Sequence, residues 1–290
     1  MEINPIIVIG VPREGEGDAE MVKTNWQRAV DSGIGCVIIN DDMGNKAAKD
    51  AKKAGAYVYV PGYAGEVSGS NYETESGAER VAKSLAEFDR FYNHDIVVNV
   101  HAHLPEMAAD AIKAVMYPLA DPYVKISTFV VPISDEEAKD EAIIKADIEI
   151  FETRRIHVLT NSKVAEVKGF FRKLPKGSKG PYYKQISIYA YRRGSLDQFV
   201  RFGPTVREMD ENLEPERALA NGMRVGAVLL NDGLNAAADS PMSEKPTYTK
   251  SALNKMREAQ VVHIANTMGI DATVDDLKAD TVAKILAAQT

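Results

Sequence analysis

The stretch Asp95–Met107, DIVVNVHAHLPEM, decides how this chain is read. Ile96, Val97 and Val98 lead an apolar run that predicts a buried strand, and the run ends in His101-Ala102-His103. Residues i and i+2 of an extended chain point to the same face, so both imidazoles would look into one space at the strand's carboxyl end. In open α/β sheets that end is where ligands bind. The stretch therefore predicts an α/β fold with a metal or substrate site, or the remains of one, beyond this strand.

Working outward, the flanks alternate between strands and helices. Ile6–Val11 is a β-branched run of the kind found in central parallel strands, and Val11–Gly17 forms the following loop. That loop sits where a phosphate cradle would lie, but Glu14 and Glu16 oppose a polyphosphate. A helix over Ala19–Ser32, capped by Asp18 and ended by Gly33 and Gly35, precedes a second strand, Cys36–Asn40, closed by Asp41-Asp42. Lys46–Ala54 predicts a helix and Tyr57–Val60 a third strand, giving a parallel sheet with right-handed crossovers. Pro61–Glu75 reads as a loop. Ser76-Gly77-Ala78-Glu79-Arg80 opens an amphipathic helix whose N-terminus suits an anion or a base.

Beyond the central stretch, Glu106–Met116 is expected to be helical and Lys125–Ile133 a strand. The charge pattern of Ser134–Asp147 reads as a solvated helix, Ile156–Leu159 as a short strand and Gln185–Tyr191 as a strand. Leu196–Phe202 and Met209–Ala220, the latter despite Pro215, are expected as helices, with Val225–Leu230 the last strand of a domain spanning residues 1–242. Residues 243–249 read as a linker and 250–290 as a small helical module, with helices at Ser251–Met256, Gln260–Met268 and Lys278–Ala288.

Composition narrows the function classes. The 290 residues, 45% of them hydrophobic, suffice for a substantial core. A net charge of −7 argues against broad binding to nucleic acid or anionic membrane. The single cysteine, Cys36, lies in an apolar run, so it reads as a small buried residue and no disulfide framework exists. The N-terminus lacks the pattern of a signal peptide, and no apolar run is long enough to span a bilayer. The expected location is the cytoplasm, or a virion if the chain is phage-encoded.

The order of motifs carries a resemblance. SGAERVA, VVNVHAHLPEM, TFVVPI, YYKQISIYAYRRGSLDQFV, ENLEPERALANG and ADSP fall in the order seen in the CMP-KDO synthetase (3-deoxy-manno-octulosonate cytidylyltransferase) family, which the chain resembles over residues 3–241. The resemblance implies a glycosyltransferase-A-like α/β fold, a mixed, mostly parallel sheet with helices on both faces, commonly dimeric. It implies nucleotide-binding roles for Arg13, Asp41, Asp42, Ser76, Gly77 and Arg80, and sugar-binding roles for Gln185, Tyr189, Glu211 and Glu214. CTP and a sugar acid would be the substrates, and Mg²⁺ the metal if that activity survives.

The chain also departs from the family. The opening loop matches only at Pro12 and Arg13 and lacks the second half of the phosphate grip. Where the family holds Mg²⁺ with an aspartate in Gln-Gly-Asp-Glu-Pro, the frame reads His101-Ala102-His103-Leu104-Pro105. Asp239 retains the partner carboxylate, Gln185 replaces a histidine and Pro215 a glutamine. Cytidylyl transfer relies on positioning and charge neutralisation at the α-phosphate, and each such electrostatic contribution is typically worth ~3 kcal/mol or more in the transition state. The residues therefore predict a catalytically degenerate member with no cofactor, repurposed for binding or assembly, for example as a bacteriophage virion protein. The alternatives are an active cytidylyltransferase, or a re-tooled site in which His101, His103 and Asp239 hold Mn²⁺ or Zn²⁺. The tail over 250–290 resembles helix-extension-helix modules of the SAP, LEM and Rho N-terminal kind. Its Asp271, Asp275, Asp276 and Asp280 disfavour nucleic acid, so a protein contact, with a second copy or another structural protein, is the expected partner.

Overall fold

The run Pro5–Gly10 forms strand β1, with Ile6 to Ile9 fully buried, as a β-branched segment covered on both faces requires. A computed structural model describes residues 4–11, 19–41, 46–53, 55–59, 76–101, 104, 109–155, 162–230, 250–255, 258–273 and 275–289. The chain divides into two compact units. One comprises Met1–Asp95, Asn99–Ala109 and Ser240–Thr290; the other comprises Ile96–Val98 and Asp110–Asp239.

In the first unit β1 is followed by α1 (Ala19–Asp31), β2 (Cys36–Asn40), α2 (Lys46–Lys53) and β3 (Val58–Tyr59). Then come α3 (Gly77–Phe88) and β4 (Ile96–His101), whose last three residues belong to this unit. The strand order is β3-β2-β1-β4. β1 and β2 run parallel in a register that sets Ile9 beside Ile39 and Gly10 beside Asn40, and β2 runs parallel to β3. Gly33, at φ 65°, ends α1, and Gly35 lets the chain turn back under β1, where a Cβ would lie 2.0 Å from the Pro5 carbonyl oxygen. The expected β-α-β-α-β opening is present. Three helices complete the unit: α8 (Lys250–Lys255), α9 (Glu258–Thr267) and α10 (Lys278–Ala288). Leu253, Val261, Ile264, Ala265, Val282 and Ile285 are buried, and α9 packs against both α10 and α1.

The second unit contains α4 (Ala109–Ala114), β5 (Val124–Ile133), β6 (Lys145–Arg155), β7 (Ser162–Phe171) and β8 (Tyr182–Arg192). It continues with α5 (Arg193–Arg201), α6 (Val206–Glu211), α7 (Glu216–Ala220) and β9 (Arg224–Leu230). Its strand order is β8-β5-β9-β7-β6: β5 is parallel to β9 and antiparallel to β8, and β7 is antiparallel to both β9 and β6. The first residues of β6 also pair with β8, so the two ends of this order meet. Lys145 is fully buried at that junction and donates to the Asp140 carbonyl at 2.7 Å.

Two expectations are corrected here. Ser134–Asp147 is not a helix: a 3₁₀ turn over Glu137–Lys139 leads into β6. Ala146, Ile148 and Ile150 alternate with exposed Asp147 and Glu149, a period of two that outweighs the helix-like charge spacing before it. Met209–Ala220 is not one helix either. Asn212 adopts the left-handed conformation and ends α6, and Pro215, which cannot donate an amide hydrogen, stands immediately before α7. The expected strand at 156–159, the loop at 61–75 and the linker at 243–249 lie outside the described residues. Among the described residues no helix is long and apolar enough to cross a membrane.

Candidate functional site

The carboxyl ends of β1, β2 and β4 and the first turn of α3 enclose a small pocket lined by Gly10, Asn40, Gly77, Arg80, Val81, Asn99 and His101. The helix start is fixed locally. Ser76 accepts the Glu79 amide at 3.3 Å while the Glu79 carboxylate accepts the Ser76 amide at 2.8 Å, a reciprocal capping box. The capped turn carries Arg80 into the pocket wall. Its guanidinium donates to the Val11 carbonyl at 2.7 Å, and its own carbonyl accepts from Asn40 Nδ2 at 3.3 Å. Asn40 and Asn99 are 1% and 2% exposed, so two amides are withdrawn from water in the interior of the strands. The Asn40 Oδ1 has no hydrogen-bond partner among the described residues. A Cβ on Gly10 would meet no atom within 4 Å, so the backbone there fronts open space. The pocket thus offers a charged donor, amide donors and acceptors, and an approachable backbone, a combination that suits the polar edge of a heterocycle.

The sequence-derived nucleotide residues fall as follows. Ser76, Gly77 and Arg80 are brought together at this pocket. Asp41 follows Asn40, is buried, and donates its amide to the Tyr59 carbonyl at 3.0 Å. Arg13 and Asp42 lie outside the described residues. Of the proposed metal set, His101 lines the pocket, while His103 and Asp239 lie outside the described residues. Among the described residues no group of three or more His, Cys, Asp or Glu side chains converges. Asn99 and Gly10 were missed by sequence reasoning. The signal for Asn99 was available: an amide in the middle of the apolar run IVVNV is costly unless it is satisfied or used.

The residues expected to bind the sugar lie in the second unit. A bulge between β5 and β8 frees the Ile186 and Ile188 carbonyls, and Thr128 Oγ1 donates toward them at 2.9 and 2.8 Å. Gln185 Nε2 donates to Thr128 Oγ1 at 3.1 Å and to the Ile186 carbonyl. Its Oε1 is buried without a partner among the described residues. Tyr189 and Tyr191 stand on the same strand, with ring centroids 6.0 Å apart. Burial, and secondarily the Glu214 carboxylate, push both phenols well above their ordinary pKa, so both remain protonated. Gln185 and Glu214 therefore both act on the Tyr189 phenol. The Glu211 carboxylate accepts from Arg207 Nε at 3.1 Å, and its carbonyl accepts from Arg172.

Comparison with known proteins supplies a separate line of observation. No family model matches the chain. It is 32% identical over 251 residues to the 3-deoxy-manno-octulosonate cytidylyltransferase of Paramagnetospirillum magneticum, covering 83% of this chain and 94% of that protein. It is 33% identical over 234 residues to the enzyme of the same name from Nitrobacter hamburgensis, covering 79% and 83%. Among solved structures, CMP:2-keto-3-deoxy-manno-octonic acid synthetase complexed with CTP superposes with a TM-score of 0.62 at 20% identity, over 79% of this chain and 90% of that one. That likeness shows the fold, and the sequence identities show the lineage. The chain belongs to the 3-deoxy-manno-octulosonate cytidylyltransferase family.

Proposed function

We propose that the protein transfers CMP from CTP to 3-deoxy-manno-octulosonate or a closely related sugar acid. The observation that carries this reading is the pocket itself. A guanidinium, two sequestered asparagine amides and a capped helix start converge at the strand ends, in a chain of this family. In the reaction a sugar hydroxyl attacks the α-phosphate, the bond to the bridging oxygen breaks, pyrophosphate leaves and the hydroxyl proton passes to solvent or a base. The residues of the pocket would hold and orient the base, so that the gain comes from positioning. Mg²⁺ belongs to the reading as the companion of CTP. The described donors, amides and an imidazole, do not make the carboxylate set a hard cation prefers.

Calorimetric titration with CTP, followed by a pyrophosphate-release assay with the sugar acid and Mg²⁺, tests the proposal. Binding together with sugar-dependent pyrophosphate release is the expected result, and silence in both assays overturns it. A second reading is favoured by the residues that depart from the family. Glu14 and Glu16 follow Arg13, the cationic residue of the opening loop, and His103 stands in the frame of the family's metal-binding aspartate. In this reading the fold has been repurposed for binding or assembly, as a homo-oligomer or with other structural proteins. CTP binding without turnover, combined with a stable oligomer in solution, distinguishes it from the first.

A further inference from the structure

The C-terminal helices lie in the same compact unit as the pocket, and they reach it through α1. α9 (Glu258–Thr267) packs on α1, whose Val22, Trp26, Ala29 and Val30 are buried. Among these apolar residues sits Asn25, a polar side chain only 2% exposed. Its Nδ2 donates to the Leu104 carbonyl at 3.2 Å, across 79 positions of sequence. The Leu104 amide donates in turn to the carbonyl of His101, the last residue of β4, at 3.1 Å, and His101 lines the pocket. α1 therefore packs against α9 and, through Asn25, is bonded to Leu104 beside the pocket rim.

We propose that the C-terminal helical module sets the nucleotide pocket through α1, with Asn25 as the positioning residue that holds Leu104 in its bond to His101. The geometry makes this path sensitive. Amide–carbonyl bonds weaken beyond about 3.2 Å, so a displacement of α1 by a few tenths of an ångström releases the Leu104 carbonyl. Packed helices transmit such displacements because interiors are dense and repack in discrete steps. The functional half of the proposal rests on the nucleotide reading of the pocket; the mechanical half does not.

The test uses the full chain and two readouts. Hydrogen exchange of the peptide spanning His101–Leu104 reports the Leu104 amide bond to His101 without any ligand, and calorimetry with CTP reports the pocket. Asn25→Leu, which removes the donor without adding charge, and Ile264→Ala on α9 are each expected to raise exchange in that peptide about tenfold and to weaken CTP binding about tenfold. The double variant is expected to do no more than the stronger single, because both act on one path. Val164→Ala in β7, a comparable loss of buried volume in the other unit, is expected to leave the peptide unchanged. If Ile264→Ala does not fold, Ile264→Val gives the same comparison at smaller amplitude. The inference is overturned if variants of Ile264 lower the melting temperature but leave exchange at His101–Leu104 as in the wild type, or if the two effects add in full. If exchange couples as expected but the wild type binds no CTP, the functional reading fails and the mechanical inference stands. If CTP binds and exchange does not move, the reverse holds.

Discussion

Replacing Arg80 by methionine probes the pocket most directly, because the side chain stem is retained and only the guanidinium is lost. Arg80 Nη2 donates to the Val11 carbonyl at 2.7 Å, a short charge-assisted bond that ties the first turn of α3 to the end of β1. Bonds with a charged donor contribute about 1.5–3 kcal/mol when sequestered. Arg80 is half-buried, so the lower part of that range applies, about 1.5 kcal/mol. The capping box of Ser76 and Glu79 does not involve the guanidinium and should survive, leaving α3 in place. What the variant loses is the tether between the two pocket walls and the positive charge between them. Denaturant stability should fall by about that free energy, and calorimetry should show CTP affinity reduced by about one order of magnitude because the pocket walls lose their tether and their charge. Arg80→Lys should fall between the two, since an ammonium keeps the charge but not the planar fork. A methionine variant that binds CTP as tightly as the wild type would refute the assignment of this pocket.

Three further outcomes follow from the same geometry. Glu208 and Arg217 form a buried, two-pronged pair, with the guanidinium 4.8 Å from the Phe199 ring centroid; Glu208→Gln should cost about 3 kcal/mol or more in urea denaturation, and a cost near zero would contradict the pairing. Glu166, hydrogen-bonded by Arg224 and also by Lys168, is held below the usual carboxylate range. The unfolded chain therefore binds more protons in acid, and the stabilisation, present above about pH 4.3, is lost as pH falls through the lowered folded value. Glu166→Gln should flatten the acid limb of the stability profile, and parallel limbs for the two proteins would count against this account. Gly35→Ala should destabilise by at least about 2 kcal/mol, since its Cβ would meet the Pro5 carbonyl at 2.0 Å; an unchanged melting temperature would show that the turn can relax.

Much of the fold was legible because its central strands bury both faces. The runs at Ile6, Cys36 and Ile96 are continuous and β-branched, and no other element explains them at that length. The Ser-x-x-Glu capping box at Ser76 is a local signature, and the hydrogen bonds that realise it lie within four residues. β6 and β7 were harder to read. Their exposed face carries charge, and Glu149, Lys168, Glu166 and Arg224 pair across three strands, so the sequence of any one of them reads as a solvated helix or loop until its neighbours are in place.

The site divides along the same line. Residue types and order alone sufficed to place the chain in its family and to single out Ser76, Gly77, Arg80 and His101, since these occur in short contiguous motifs. Asn40, Asn99 and Gly10 acquired a common role only when the parallel register of β1 and β2 aligned Gly10 with Asn40 and the strand order set β4 beside β1. The same holds for Asn25, whose partner Leu104 lies 79 residues away. Motifs are local in the chain and survive in the sequence. Registers and long-range hydrogen bonds are set by the collective packing of whole elements, and no single segment encodes them.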